Sequence, residues 1–346
     1  MRSPFHGDRD SKDTHYSPIT ALQDRMRKRN VSASSRLSRD IDDHGDSQAQ
    51  LDVPVAVDEM ALGSAEDRFL IESASLAARP EFKNAVARCH RGDKRFRQRE
   101  YDKAEEDYAA SLGVLRILSA TREIGWVTLR IGRTASRLRD NARAAKLAED
   151  AMSVFQSIGD AKGLAAAHRL LGHMAYRDRD YSEARKQFRG SLRYLQGLGR
   201  DGETGLVMNL VGKTAYRQGD FGVAVESFVK AIALFEGTKD QPGQLQALEN
   251  LARAHFADGN IAEAHSAMVR RINLCRRMRE ESELAWSCVG AARLSAEMGA
   301  ELDYSKYLLE AEELFRNQGD AEGIQGCMDV RLAATSMHTS PDIRML

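Results

Sequence analysis

The sequence predicts an all-α protein, a right-handed α-α solenoid of six helix pairs followed by a C-terminal capping helix. Three observations predict it. Gly92, Gly132, Gly172 and Gly212 stand 40 residues apart, and other columns keep the same spacing. A period in this range marks arrays whose units bury their apolar faces only against one another. Only 6 of the 346 residues are proline, and the body is rich in Ala, Leu, Arg, Glu and Met, which favour helix. Turn chemistry recurs in register, with Arg179-Asp180-Tyr181 and Gly219-Asp220-Phe221 inside units and Ile158-Gly159-Asp160 and Gln318-Gly319-Asp320 between them.

Taken in order, residues 1–57 are poor in large apolar groups. A basic block (Arg25, Arg27, Lys28, Arg29, Arg36, Arg39) precedes an acidic one running from Asp40 through Asp58 and Glu59. Such a segment buries too little surface to offset its ordering entropy and is predicted to be disordered. Residues 58–79 read as a lone helix with Leu62, Phe69, Leu70 and Leu76 as its apolar positions. Six units follow, at about 80–119, 120–159, 160–199, 200–239, 240–279 and 280–319. The small residue of each first helix is Gly92, Gly132, Gly172, Gly212, Ala252 and Ala292, and the second helix carries Ala104, Ala144, Ala184, Ala224 and Ala264 before the pattern breaks at Tyr304. Seven residues further stand Ser111, Ala151, Ser191, Ala231, Arg271 and Ala311. The large residue closing the second helix is Leu115, Phe155, Leu195, Phe235, Cys275 and Phe315. Small residues let backbones approach at crossings, and large ones fill the gap to the next unit. Residues 320–337 form the capping helix, with Leu332 in the glycine column, and 338–346 a disordered tail.

Formal net charge is zero, so no global basic field draws the chain to nucleic acid or an anionic membrane. Cys89, Cys275, Cys288 and Cys327 lack metal-ligand spacing and read as small core residues. No run is long and apolar enough to span a membrane, and the N-terminus lacks a hydrophobic signal core, which predicts a cytoplasmic protein. No metalloprotease, P-loop, dinucleotide or nucleophile-elbow motif occurs. The expectation is therefore a protein without enzymatic activity, metal or cofactor.

A small eighth residue, an aromatic opening the second helix (Tyr101, Tyr181, Phe221), an alanine three residues on and a second small residue seven beyond resemble the tetratricopeptide repeat. The 40-residue spacing is similar to that of the Pins/LGN polarity adaptors, rapsyn and several axonemal proteins. Leu248-Glu249-Asn250-Leu251 and Val207-Met208-Asn209-Leu210 echo the Asn-Leu-Gly opening of such repeats, and the stretch from Ala247 to Asp320 resembles the repeat array of an outer-dynein-arm docking subunit. The resemblance implies a scaffold or adaptor, in a ciliary or cytoskeletal setting or, alternatively, in cell-polarity or spindle signalling.

It also implies that the first helix of each pair lines the concave face, with its second, fifth, ninth, twelfth and thirteenth positions pointing inward. The ninth column reads Asp93, Arg133, His173, Lys213, Arg253, Arg293 and the thirteenth Arg97, Arg137, Arg177, Arg217, Ala257, Glu297. Eight of these twelve positions are basic, where the chain average of 51 in 346 predicts about two. Between them runs the twelfth column, including Tyr176, Tyr216 and Phe256. The pattern predicts a basic, aromatic-studded groove in the first five repeats for an acidic peptide or helix. Arg169, Asn209 and Asn250 join it where related arrays grip peptide backbone or carboxylate, while Trp126 and Trp286 read equally as groove wall or packing. The competing reading is a solvated face whose arginines pair with Asp178, Asp180 and Glu183. Single-stranded nucleic acid is a weaker alternative partner for alternating arginine and aromatic residues. An intramolecular contact between residues 40–59 and the groove is a regulatory one.

Overall fold

The computed structural model describes Leu76 and residues 78–339. The predicted segment 1–57, all of 58–79 but its last few residues, and residues 340–346 of the predicted 338–346 tail lie outside the described part, while residues 338 and 339 belong to the last helix. Among the described residues there are thirteen helices and no strand. Repeat 1 is α1 (Pro80–Arg97) and α2 (Tyr101–Ile117), repeat 2 is α3 (Thr121–Arg137) and α4 (Asn141–Ile158), and repeat 3 is α5 (Ala161–Arg177) and α6 (Tyr181–Leu195). Repeat 4 is α7 (Asp201–Arg217) and α8 (Phe221–Thr238), repeat 5 is α9 (Gln241–Ala257) and α10 (Ile261–Met278), and repeat 6 is α11 (Glu281–Glu297) and α12 (Glu301–Gln318). The last helix, α13 (Ala321–Thr339), packs on both α11 and α12. Every helix packs on its chain neighbours, and first helices of adjacent pairs also touch, α3 with α5 and α7 with α9. The all-α solenoid predicted from the repeat spacing is the observed fold.

Helix ends follow from local chemistry. In each turn within a pair, one residue takes the left-handed conformation and two backbone bonds close the first helix. Arg179 N–H donates to the Tyr176 carbonyl at 3.1 Å and Asp180 N–H to that of Ala175 at 2.9 Å, for example. The side chains of Asp140, Asp180 and Asp220 then accept an N–H of the helix they open.

The small column works through a partner that the repeat pattern alone did not single out. The rings of Tyr108, Phe188 and Phe228 lie so close on Gly92, Gly172 and Gly212 that a Cβ there would stand 2.7, 2.5 and 2.5 Å from them. A methyl group at any of these glycines forces ring or helix to shift.

The junctions between repeats come in two alternating kinds. After repeats 2, 4 and 6 a phenylalanine (Phe155, Phe235, Phe315) meets a glycine of the next first helix (Gly163, Gly243, Gly323), and an aspartate (Asp160, Asp240, Asp320) caps that helix on the same glycine's N–H. After repeats 1, 3 and 5 the ring is replaced by Leu115, Leu195 or Cys275, the glycine by Glu123, Glu203 or Glu283, and the cap by Ala120, Arg200 or Glu280, none of which makes a side-chain cap. Buried polar contacts lie near two of these junctions. Ser111 Oγ donates to the Ala85 carbonyl at 2.8 Å, and the buried Arg271 binds the Leu245 carbonyl at 3.3 Å, the Glu283 carbonyl at 3.1 Å and the Glu283 carboxylate.

The four cysteines are buried and unpaired by disulfides. Burial pushes the Cys288 thiol up to about 12 and that of Cys327 to about 11, so neither is a thiolate nucleophile at neutral pH.

Candidate functional site

The candidate columns lie on α1, α3, α5, α7, α9 and α11. At three boundaries a basic side chain of one repeat reaches the twelfth position of the repeat before it. Arg177 donates from Nη1 to both the carbonyl oxygen and the hydroxyl of Ser136, each at 2.8 Å. Arg217 donates from Nε to the Tyr176 hydroxyl at 3.3 Å. Arg133 places its guanidinium carbon 4.0 Å from the centre of the Phe96 ring, a cation–π contact. The three repeat boundaries thus share one design, in which the previous repeat holds one edge or the face of the guanidinium. An arginine has five N–H donors, and the Ser136 contacts engage only Nη1 of Arg177.

The rings of the twelfth column are anchored as well. Phe96, Tyr176 and Tyr216 pack on the residues that open the second helix, with centroids 5.2 Å from Tyr101, 5.5 Å from Tyr181 and 5.6 Å from Phe221. Phe96 is buried, whereas Tyr176 and Tyr216 are half-buried. Phe256 packs on the core of the later repeats together with Ile261.

The remaining candidates divide. Arg169 and Asn209 are buried, 6% and 1% exposed. Asn209 donates to Gln246 Oε1 and accepts from Asn250 Nδ2, both at 3.0 Å, an amide chain that ties α7 to α9. His173 sits edge-on to Phe188 at 5.5 Å, and His168 stacks on Tyr194 and meets Gln187 Oε1 at 2.7 Å. Arg97 is exposed, and Arg137, Lys213 and Arg293 are half-buried. Trp126 packs on Phe155 at 5.2 Å and donates to the buried Asp160 at 3.3 Å; Trp286 packs on Phe315 at 5.1 Å and remains 42% exposed.

Two carboxylates bound the basic strip. At one end Asp93 is buried and accepts from Arg130 Nε at 3.0 Å and from the Tyr108 hydroxyl at 2.8 Å. Burial pushes its carboxyl up, but the charges of Arg130 and Arg133 and the bonds from Tyr108 and Arg130 outweigh that and hold it below the usual carboxylate range. At the other end Glu249 pairs with Arg253 at 2.8 Å and with Arg271 at 3.4 Å. Burial again opposes ionisation, and Arg253, Arg271 and Lys213 overcome it. Between these ends the positive groups crowd. The Arg177 guanidinium has its pKa lowered, first by burial and then by the charges of Arg139 and Arg137, with Asp178 opposing. Asp178, Asp180 and Glu183, the acidic neighbours of the competing reading, are engaged by Asn141 at 2.9 Å, by the Glu183 N–H at 2.9 Å and by Lys186 at 3.1 Å.

Column reading missed Arg130, Gln246, Glu249 and Arg271. Arg130 and Arg271 are charged side chains at positions that the periodicity places in the core; a buried charge is a signal in itself, because it demands a partner. Among the described residues no group of His, Cys, Asp and Glu side chains could hold a metal ion, and no helix is long and apolar enough to cross a membrane.

Comparison with known proteins agrees with this architecture. Two family models described as tetratricopeptide repeat match residues 163–237 and 212–271. No curated protein matches the chain in sequence. The fold is similar to that of the apo form of RapI (14% identity, TM-score 0.54, covering 73% of this chain and 99% of that one). It is also similar to a Rap protein complexed with Competence and Sporulation Factor (13%, TM-score 0.52, 88% and 92%). A third similar structure is a signal-transduction ATPase with a tetratricopeptide-repeat sensor from Pyrococcus horikoshii (11%, TM-score 0.57, 92% and 50%). With six stacked helix pairs and two family models matching within residues 163–271, the chain carries tetratricopeptide repeats.

Proposed function

We propose that the chain is a non-enzymatic scaffold or adaptor that holds an acidic segment of a partner protein, extended or helical, on the first-helix face, centred on repeats 2 to 4. One observation carries this reading. Arg133, Arg177 and Arg217 are each braced by the preceding repeat, so the three guanidinium groups are positioned along the first-helix face. Bracing of this kind lowers the ordering entropy that binding otherwise requires. The half-buried Tyr176 and Tyr216 between them offer ring surface and hydroxyls to a partner's apolar and polar groups. A similar fold occurs in a Rap protein complexed with Competence and Sporulation Factor, which supports a ligand-holding role for such an array.

The test is a titration of a fluorescently labelled amphipathic peptide of alternating Glu-Glu-Leu triplets. Changing Arg133, Arg177, Arg217 and Arg253 to Glu should weaken binding roughly 100-fold, since like charges across an interface repel as strongly as opposite ones attract. Circular dichroism checks that the helices persist. Equal affinity in a folded variant overturns the reading.

A further inference from the structure

Each turn inside a repeat requires one left-handed residue. Repeats 4 to 6 supply Gly219, Gly259 and Gly299, with φ of 77°, 83° and 70°. Repeats 1 to 3 supply Arg99, Arg139 and Arg179 in the same place, with φ of 62°, 67° and 62°. Glycine adopts this conformation without a steric penalty; a side chain crowds its own carbonyl. A backbone outlier repeated in three consecutive units, always as the same cationic residue, points to a use for that residue.

The three arginines are exposed, and each follows another arginine by two positions: Arg97, Arg137 and Arg177. The turns therefore carry an Arg-x-Arg pair per repeat along one edge of the array, adjoining the thirteenth column of the basic strip. Neighbouring repeats are close enough for Arg139 and Arg137 to act electrostatically on Arg177. Carboxylates interrupt the edge. Asp140 accepts the Arg143 N–H at 3.1 Å, Asp180 that of Glu183 at 2.9 Å, and Asp178 the Asn141 amide at 2.9 Å. These fixed negative charges repel a continuous line of phosphates such as a nucleic-acid backbone. They leave room for single carboxylates separated along a peptide, each taken by an arginine pair.

We propose that the turn edge of repeats 1 to 3 is a docking ridge for an acidic peptide whose carboxylates are spaced by neutral residues. The proposal rests on the protein-binding reading above, and it extends the bound segment beyond the helix columns onto the turns. Its decisive variant is Arg99→Gly/Arg139→Gly/Arg179→Gly, which removes the three charges and also removes the three conformational outliers. Affinity for a labelled Glu-Ser-Ala repeat peptide should fall about tenfold, the sum of three modest exposed ion pairs, while Tm stays unchanged or rises. Conversely, Gly219→Arg should tighten binding severalfold and lower Tm; a Cβ at Gly219 meets nothing within 4 Å, so the turn has room for the side chain. A triple variant binding within twofold of the native chain overturns the ridge, as does tighter binding of single-stranded RNA than of the peptide. Failure of the helix-column reading is separable, because an Arg133→Glu/Arg217→Glu/Arg253→Glu variant, which leaves Arg177 and the turn arginines in place, then keeps its affinity for the same peptide while the turn variant loses it.

Discussion

Asp93→Ala should destabilise the array by about 3–5 kcal/mol, the range for removing one partner of a buried ion pair. Asp93 and Arg130 are both nearly inaccessible, with side chains 5% and 4% exposed, and meet at 3.0 Å. Without the carboxylate, the Arg130 charge and the Tyr108 hydroxyl lose an acceptor in a region that water does not reach. Asp93→Asn keeps an acceptor for both donors and should cost less than the alanine change. Denaturant unfolding measures the loss. Because each repeat contacts only its neighbours, hydrogen exchange should locate it in α1 to α3 rather than across the chain. The same pair sets a pH dependence. The folded-state pKa of Asp93 lies below its unfolded value, so its contribution is fully present above the ordinary carboxylate range and is lost as the pH falls through about 4 toward the folded value. Asp93→Asn should flatten that part of the acid-unfolding curve.

Phe155→Ala should cost a further class of energy, about 3–5 kcal/mol for a fully buried phenyl ring lost to a cavity. Phe155 has no exposed surface, and its ring is held between Gly125, Gly163 and Trp126, the last at 5.2 Å. The glycines cannot fill the vacancy. Gly163→Ala alone should also destabilise, because the new methyl would run into that ring. Combined with Phe155→Leu, which copies the residue of repeats 1 and 3, the methyl gains space. The double variant should then lose at least 0.5 kcal/mol less than the two single losses added, the lower end of coupling between touching residues. Strict additivity in a thermal or denaturant cycle would show that ring and glycine do not share the site.

The fold was legible because a repeat of 40 residues samples each structural position six times, and small, apolar and turn residues recur there for steric reasons. The candidate face was legible only in part. Column arithmetic placed Arg133, Arg177 and Arg217 on first helices, but not their bracing by Phe96, Ser136 and Tyr176, since a contact between repeats is a property of helix spacing rather than of any one unit. Asp93 stood out in a basic column, yet its partner Arg130 lies on the next repeat at a position the periodicity assigns to the core. Asn209 and Asn250 fit an Asn-Leu opening in sequence, and in the structure they bond to each other and to Gln246. The alternation of junctions escaped because a search for what all six units share averages away what only every second unit has.

That alternation makes the length of the array subject to parity. Excising residues 160–199 would seat the Phe155 ring where Glu203 arrives in place of Gly163, and would put Arg200 where Asp160 caps the helix. Excising 160–239 would bring in Gly243 and Asp240, which reproduce the native fit of ring, glycine and cap. The longer deletion should therefore yield a folded, cooperatively melting protein and the shorter one a chain frayed at its new seam. Viable insertions and losses in this array should come in even numbers of repeats.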